Sequence, residues 1–522
     1  MNPNDEDFER VVSGLLEKNV SDISDTEDRF LHDTHCLESD HDTASELCDT
    51  ENQDPALVSD SDDEPLINLT SNRQYFLGKK VGNKQQFKWY KDPFRSSVRT
   101  PRHNIVEVQR PIGTRDCTEK IDFWNILFSE DILHIIVLHS NRKLEDMRQK
   151  YKREERPELK NIDITELCAL IGCLLYTAIF KSNKEYIASL FATDGKGREI
   201  FRCVFSQKRF LMLLTVLRFD DPTTREERKK TDPATHVSEL YDIFISNCQK
   251  YYTPGPHMCI DEMLVRCRCR CKILMYMPKK PGKYGIKVMC MTDASNNYLY
   301  NAYIYCGKDT DGQGLTDEEK EFSKPTQSIL RLTKPIQNTN RNITGDNWFT
   351  SIEAVDLLKK NGLTYVGTMN KIKREIPTDF LPKRSRLVGE TLYGFTKEMT
   401  MVLYVPKRNK AVVLLSSMHH DKCNDEEGEK SDIILFYNST KNGVDGLDKM
   451  CKNARNIDTY TFLSEIADEL CKPHMLRRYN NPNISRDVRA SIKRILKIED
   501  TDPGPQTSEK LAIRGTCTIC PA

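Results

Sequence analysis

The hydrophobic period of this chain changes at about residue 257, and that change limits the folds open to it. Upstream, apolar residues recur at helical spacing. "DFWNILFSEDILHIIVLHSNRKL" puts Phe123, Leu127, Phe128, Ile132, Ile135 and Ile136 on one stripe. "DITELCALIGCLLYTAIF", with Asp163 or Thr165 as candidate cap, and "SQKRFLMLLTVLRFDDP" repeat the pattern. Downstream come short apolar runs bounded by turns: "MCIDEMLV", "GIKVMCMTDAS", "NYLYNAYIYCG", "NITGDNW", "LTYVGTMN", "MTMVLYVP" and "KAVVLLSSM". One helical segment, "TSIEAVDLLKKNG", lies among them, so the pattern predicts a mixed α/β sheet. Helices return after 443 in "GVDGLDKM", "TFLSEIADELCKPHMLRRY" and "SRDVRASIKRILKI". A sheet region is thus bracketed by two helical regions. Residues 372–432, with turns, basic clusters and hairpin-like strands, read as an insertion into it.

At 522 residues the chain exceeds one ordinary domain. Its 78 basic and 78 acidic residues cancel, but unevenly. Residues 1–65 hold 21 acidic against 3 basic residues, a net of −18, so the remainder carries +18. A basic body with an acidic tail suggests a polyanionic partner, the tail acting as mimic or screen. The tail is too polar to fold alone and is expected to be disordered over 1–70. Residues 71–117 form a basic arm interleaved with Tyr75, Phe76, Phe87, Trp89, Tyr90 and Phe94. Such an arm either tracks phosphates and stacks on bases or packs along the body. The 18 cysteines are scattered, with no secretory leader and no apolar run of membrane-spanning length. Reduced thiols in an intracellular protein are therefore expected.

Three acidic points stand out in the basic body. "HMCIDEMLV" delivers Asp261 and Glu262, which alternate across a strand, so only one is expected to aim at a given metal. Asp346 follows the run "NITG", and "KNGVDGLDKM" places Asp445 and Asp448 on one helical face. If they converge, these oxygens suit Mg²⁺, and two such ions can assist phosphodiester transfer. The plainer alternative is that Asp346 caps the following helix and Asp445 the one after Gly443. Lys279, Lys280, Lys283 and Lys287 crowd the first acidic point, and Lys371, Lys373 and Arg374 follow the second. Cations flanking carboxylates serve chemistry on a polyanion, or simply make a solvated face. In "RCRCRCK", C-x-C spacing on a strand matches zinc poorly, so buried thiols behind a basic face are expected.

In combination, "VRTPRHNIV", "LRFDD", "CIDEMLV", "MPKKPGKYGIK", "GDNWFTSIEAVDLL", "LTYVGTMNKIKREIP", "YNSTKNGVDGLDKM" and "ELCKPHMLRRY" resemble the piggyBac family of DNA transposases in order and spacing. The resemblance runs from about residue 70 to the end. It implies an RNase H-like α/β catalytic core over 256–371 and 433–452, interrupted by an inserted β-rich domain at 372–432. Helical dimerisation and DNA-binding regions at 118–255 and 453–500 would flank it, with a linker and cysteine-rich remnant at 501–522. It further implies Asp261, Asp346 and Asp445 as ligands of two Mg²⁺ or Mn²⁺ ions, and Asp448 as a supporting catalytic residue. Asn347, Lys279, Lys280, Lys283, Lys287, Lys371, Lys373 and Arg374 would contact DNA. The implied activity is nicking, hairpin formation and joining at TTAA, by a homodimer on double-stranded DNA in the nucleus, without membrane association.

Two departures from the family pattern bear on this. After "GVDGLDKM", "CKNARNIDTYTFLSEIADELC" runs almost directly to the next matching segment, roughly forty to fifty residues short, a helix and a loop. The chain also stops at "RGTCTICPA", where Cys517 and Cys520 form half a zinc site, so no stable zinc is expected. These departures favour the alternative to an active enzyme, a catalytically inactive, domesticated DNA-binding or chromatin protein of the same descent.

Overall fold

The structure, a computed structural model, describes residues 37–38, 73–80, 86–94, 108–151, 156–182, 185–268, 271–278, 280, 282–422, 430–452 and 457–499. Most of the acidic segment, "VRTPRHNIV", Lys279 and the Cys517/Cys520 pair lie outside them. In chain order the longer helices are α1 (Lys120–Leu127), α2 (Glu130–Tyr151), α3 (Ile164–Ile179), α4 (Glu199–Val204), α5 (Gln207–Val216) and α6 (Thr235–Lys250). There follow α7 (Lys324–Thr333), α8 (Ile352–Lys360), α9 (Asp432–Thr440), α10 (Gly443–Lys452), α11 (Ile457–Tyr479) and α12 (Arg486–Ile495). The described residues divide into two compact units, one from Thr114–Asn247 and Lys452–Ala522, the other from Glu17–Gly113 and Cys248–Cys451.

In the helical unit, Asp163 caps α3 by accepting from the Glu166 amide at 2.8 Å. The first helical stretch is two helices, α1 and α2, rather than one, and Phe123 is exposed while Ile132 and Ile136 are buried. α11 packs along α3 so closely that a Cβ on Gly172 would lie 2.6 Å from Cys471 Sγ and 3.0 Å from the Ala467 carbonyl. The residues after the shortened stretch therefore still complete the helical core, burying Ala467, Cys471 and Met475 beside Leu170 and Cys173. Within that core Arg209 grips Glu166 through two bonds, of 2.8 and 2.6 Å, leaving no buried charge without its opposite.

The second unit is built on a mixed sheet, twelve-stranded among the described residues. Its centre is β6 (His257–Arg266), antiparallel to β8 (Tyr284–Asp293) on one side and parallel to β10 (Asn342–Gly345) on the other. β8 also pairs with β7 (Leu274–Tyr276) and β9 (Leu299–Ile304). Leu37–Glu38 (β1) extends the β7 edge. Beyond β10 come β11 (Thr364–Thr368), β14 (Lys410–Ser416), β13 (Thr400–Lys407) and β12 (Thr391–Phe395). β2 (Tyr75–Leu77) and β3 (Lys88–Tyr90) close that edge. A short separate pair joins β4 (Arg110–Pro111) to β5 (Tyr252–Thr253).

Both faces of the far half of the sheet are covered. Tyr365, Met401, Leu403, Val413 and Leu415 enter the main core, while Val366, Val402 and Leu414 enter a second cluster with Ile433 and Ile434 of α9. That is why "KAVVLLS" is an unbroken apolar run rather than an alternating one. The stretch read as an insertion, 372–432, lies in this unit and continues the sheet through β12, β13 and β14. The basic arm packs on the body: Trp89 is fully buried and its indole donates to the Glu375 carbonyl at 2.8 Å. Of "RCRCRCK", residues 269 and 270 lie outside the described residues. β6 ends at Arg266, and Cys267 and Cys271 are half-buried outside it. Among the described residues no helix is long and apolar enough to cross a membrane.

Candidate active site

Pairing with β8 sets Asp261 opposite Cys290 at the middle of β6. β10 runs parallel with Thr344 opposite Cys259, so the chain leaves the sheet at Asp346 alongside Ile260 and Asp261. The strand end tolerates no side chain, since a Cβ on Gly345 would stand 2.6 Å from Tyr365 Oη and 3.2 Å from Ile260 Cγ1. Asp346 does not cap α8; Ser351 does, accepting from Ala354 N at 3.0 Å. Asp346 instead anchors the turn before that helix. Its Oδ1 accepts from Trp348 N at 3.0 Å, and its carbonyl accepts the Thr350 hydroxyl at 2.7 Å.

The third carboxylate arrives on α10. The α9–α10 junction is tied to both site-bearing strands, by Cys259 Sγ donating to the Lys441 carbonyl at 3.1 Å and by a 2.8 Å bond between the Thr344 and Thr440 hydroxyls. Gly443 starts α10 where a Cβ would meet Thr292 Oγ1 at 2.4 Å and Cys259 Cβ at 2.9 Å. Only a glycine lets the helix begin this close to β6 and β8, and Asp445 then stands in its first turn. Asp261, Asp346 and Asp445 together line one cavity of about 170 Å³ with Thr344, Tyr437, Lys441 and Asn442. Asp448 sits one turn further along α10, half-buried, and does not line that cavity.

Burial, then repulsion from Glu262 and Asp346, pushes the Asp261 carboxyl well above the usual carboxylate range. Asp346 is pushed up to about 6, by burial and then by Glu262, against the pull of its two backbone N–H bonds. Of this neighbouring pair, Asp261 lines the cavity and Glu262 does not, though Glu262 raises the Asp261 carboxyl by repulsion. Glu262 is almost fully buried, pairs with Lys280 at 3.3 Å and leaves its Oε2 without a hydrogen bond among the described residues. Glu262 thus acts on both aspartates electrostatically from a buried position without lining their cavity.

The basic residues divide. Lys287 is fully buried, its ammonium 5.2 Å from the Tyr305 ring centre and 5.8 Å from that of Trp348. Burial holds it down at about 8, and it reaches no solvent, hence no phosphate, in this structure. Lys280 is turned to Glu262. Lys373 donates to the Thr350 carbonyl at 2.7 Å, next to the Asp346 turn, and the Lys371 carbonyl accepts from Lys79 at 3.2 Å. Lys283 and Arg374 are exposed, Arg374 beside Glu375 at 3.1 Å, and Asn347 is half-buried in the turn after Asp346. Sequence reasoning passed over Lys441 and Tyr437. The signal available was position alone, a lysine four residues before Asp445 in the same motif.

Among the described residues no three His, Cys, Asp or Glu side chains already surround one point as ion ligands. The donor set nevertheless fits a hard divalent cation. It is all oxygen, it comes from three separate elements, and two of its carboxyls are raised by burial and by repulsion from Glu262, which a bound cation would offset.

A family model described as Transposase IS4 matches residues 120–458. A cryo-EM structure of the piggyBac transposase synaptic complex with hairpin DNA is similar at 30% identity and a TM-score of 0.68, over 80% of this chain and 94% of that one. A mixed α/β architecture, the ordered motifs and these two likenesses agree, and the chain belongs to the piggyBac-type Transposase IS4 family.

Proposed function

We propose that this chain cuts and rejoins double-stranded DNA by phosphodiester transfer at the cavity shared by Asp261, Asp346 and Asp445. The observation that carries this is their convergence: aspartates far apart in sequence, on β6, after β10 and on α10, line a single cavity. β6, β8, β9, β10 and α10 would then belong to an RNase H-like core. Asp261, Asp346 and Asp445 would hold the divalent ions, magnesium or manganese. Such ions activate an attacking oxygen and stabilise a leaving one. The chain's own part is to hold the three carboxylates on rigid elements, with Lys280, paired to Glu262, offsetting part of the repulsion at Asp261. Homodimeric action on transposon ends with joining at TTAA, in the nucleus, completes this reading by likeness to the family.

The test is incubation of the purified chain with Mg²⁺ or Mn²⁺ and end-labelled DNA bearing candidate terminal repeats. Metal-dependent nicking that Asp346→Asn removes is the expected result. Binding without nicking across a range of protein concentrations would instead favour the inactive, domesticated DNA-binding protein.

A further inference from the structure

The cavity is strongly anionic, and the substrate proposed for it is a polyanion. Three carboxylates line it, and Lys280 and Lys287, the lysines nearest Asp261 and Glu262, are turned inward or buried. A phosphodiester entering such a site meets net repulsion unless a cation faces it from the wall. Among the described residues lining the cavity, the single cationic side chain is Lys441.

Its placement is specific. Lys441 closes α9, its amide donating to the Tyr437 carbonyl at 2.9 Å, and its carbonyl is fixed to β6 through Cys259. Its ammonium lies 5.3 Å from the centre of the Tyr437 ring, itself part of the cavity wall. An ammonium over an aromatic face is attracted there by the ring quadrupole. Backbone fixation, ring support and cavity exposure together make Lys441 a fixed positive group beside three carboxylates.

We infer that Lys441 is a phosphate-anchoring residue, which takes a non-bridging oxygen of the DNA backbone at the cavity mouth and sets the phosphodiester against Asp261, Asp346 and Asp445. Tyr437 positions it through its ring. This rests on the cleavage reading for the role of the cavity, but its test does not.

The probe is a 30-base-pair duplex containing TTAA, bound by the full chain in the absence of divalent metal over a series of salt concentrations. Lys441→Ala should weaken binding about tenfold and flatten the slope of log K against log [salt] by about one unit. Lys441→Arg should restore the slope, and Lys441→Gln should not. Tyr437→Phe, which keeps the ring, should bind as the parent does. Lys360→Ala, an exposed lysine at the end of α8, is the control. An unchanged slope for Lys441→Ala, or an equal loss for Lys360→Ala, overturns the inference. With metal added, Lys441→Ala should also lower the cleavage rate at saturating duplex. If the parent chain binds but never cleaves, the cleavage reading fails while the salt slope still judges Lys441.

Discussion

At the scale of single residues, the site is defined by charges that are not neutralised within the protein. Asp346 shows the consequence. Burial and the nearby Glu262 raise its carboxyl from 3.8 to about 6, so the folded chain holds that proton more tightly than the unfolded chain. The stability this contributes is complete below about pH 4 and is lost as pH rises through about 6. In the proposed reading a divalent cation would supply the missing positive charge above that point. Manganese should therefore raise the melting temperature by about 2–4 °C at pH 7.5 and little at pH 5. Asp346→Asn should raise the metal-free melting temperature at pH 7.5 and remove most of the manganese shift. An undiminished shift in that variant would separate Asp346 from the metal. Asp261 and Asp346 were legible as candidates in "CIDE" and "GDNW". The influence of Glu262 on both was not, because the burial that strengthens repulsion between carboxylates is set by the packed fold.

At the scale of elements, what matters is how a helix comes to start against a strand. The α9–α10 junction is pinned by Cys259 and Thr344, and Gly443 removes the Cβ that would collide with Thr292 and Cys259. Gly443→Val should cost about 1–3 kcal/mol by overpacking and push Asp445 out of the cavity. Urea denaturation should show a folded but weakened chain, and the manganese-induced melting shift should shrink with it. A full shift in a folded Gly443→Val chain would mean that α10 does not set the site. The sequence marked this glycine only as the start of a helix. Its use lies in two strands more than a hundred residues away, and no local pattern reports contacts at that separation. The arm shows the same limit: aromatic and basic residues fit either a nucleic-acid strap or an edge strand, and the burial of Trp89 decides for the edge.

At the scale of the whole molecule, the chain divides into two units with separate hydrophobic clusters. The helical one depends on α11 meeting α3 across Gly172. Gly172→Val would force a side chain into Cys471 and Ala467 and should weaken that unit by about 1–3 kcal/mol. Hydrogen exchange should then quicken for the amides of α3 and α11 while those of β6, β8 and β10 keep their protection. Equal quickening everywhere would show that the units share one cooperative core. By itself, the sequence determined the change from helix to sheet and back, the elements that carry Asp261, Asp346 and Asp445, and the family. These follow from local periodicity and ordered motifs, which neighbouring residues are sufficient to write. Only the tertiary structure decided that the three aspartates share a cavity, that Lys287 is interior, that 372–432 continues the sheet and that Lys441 lines that cavity. Each of these depends on strand register and burial, which arise when distant segments compete for the same core.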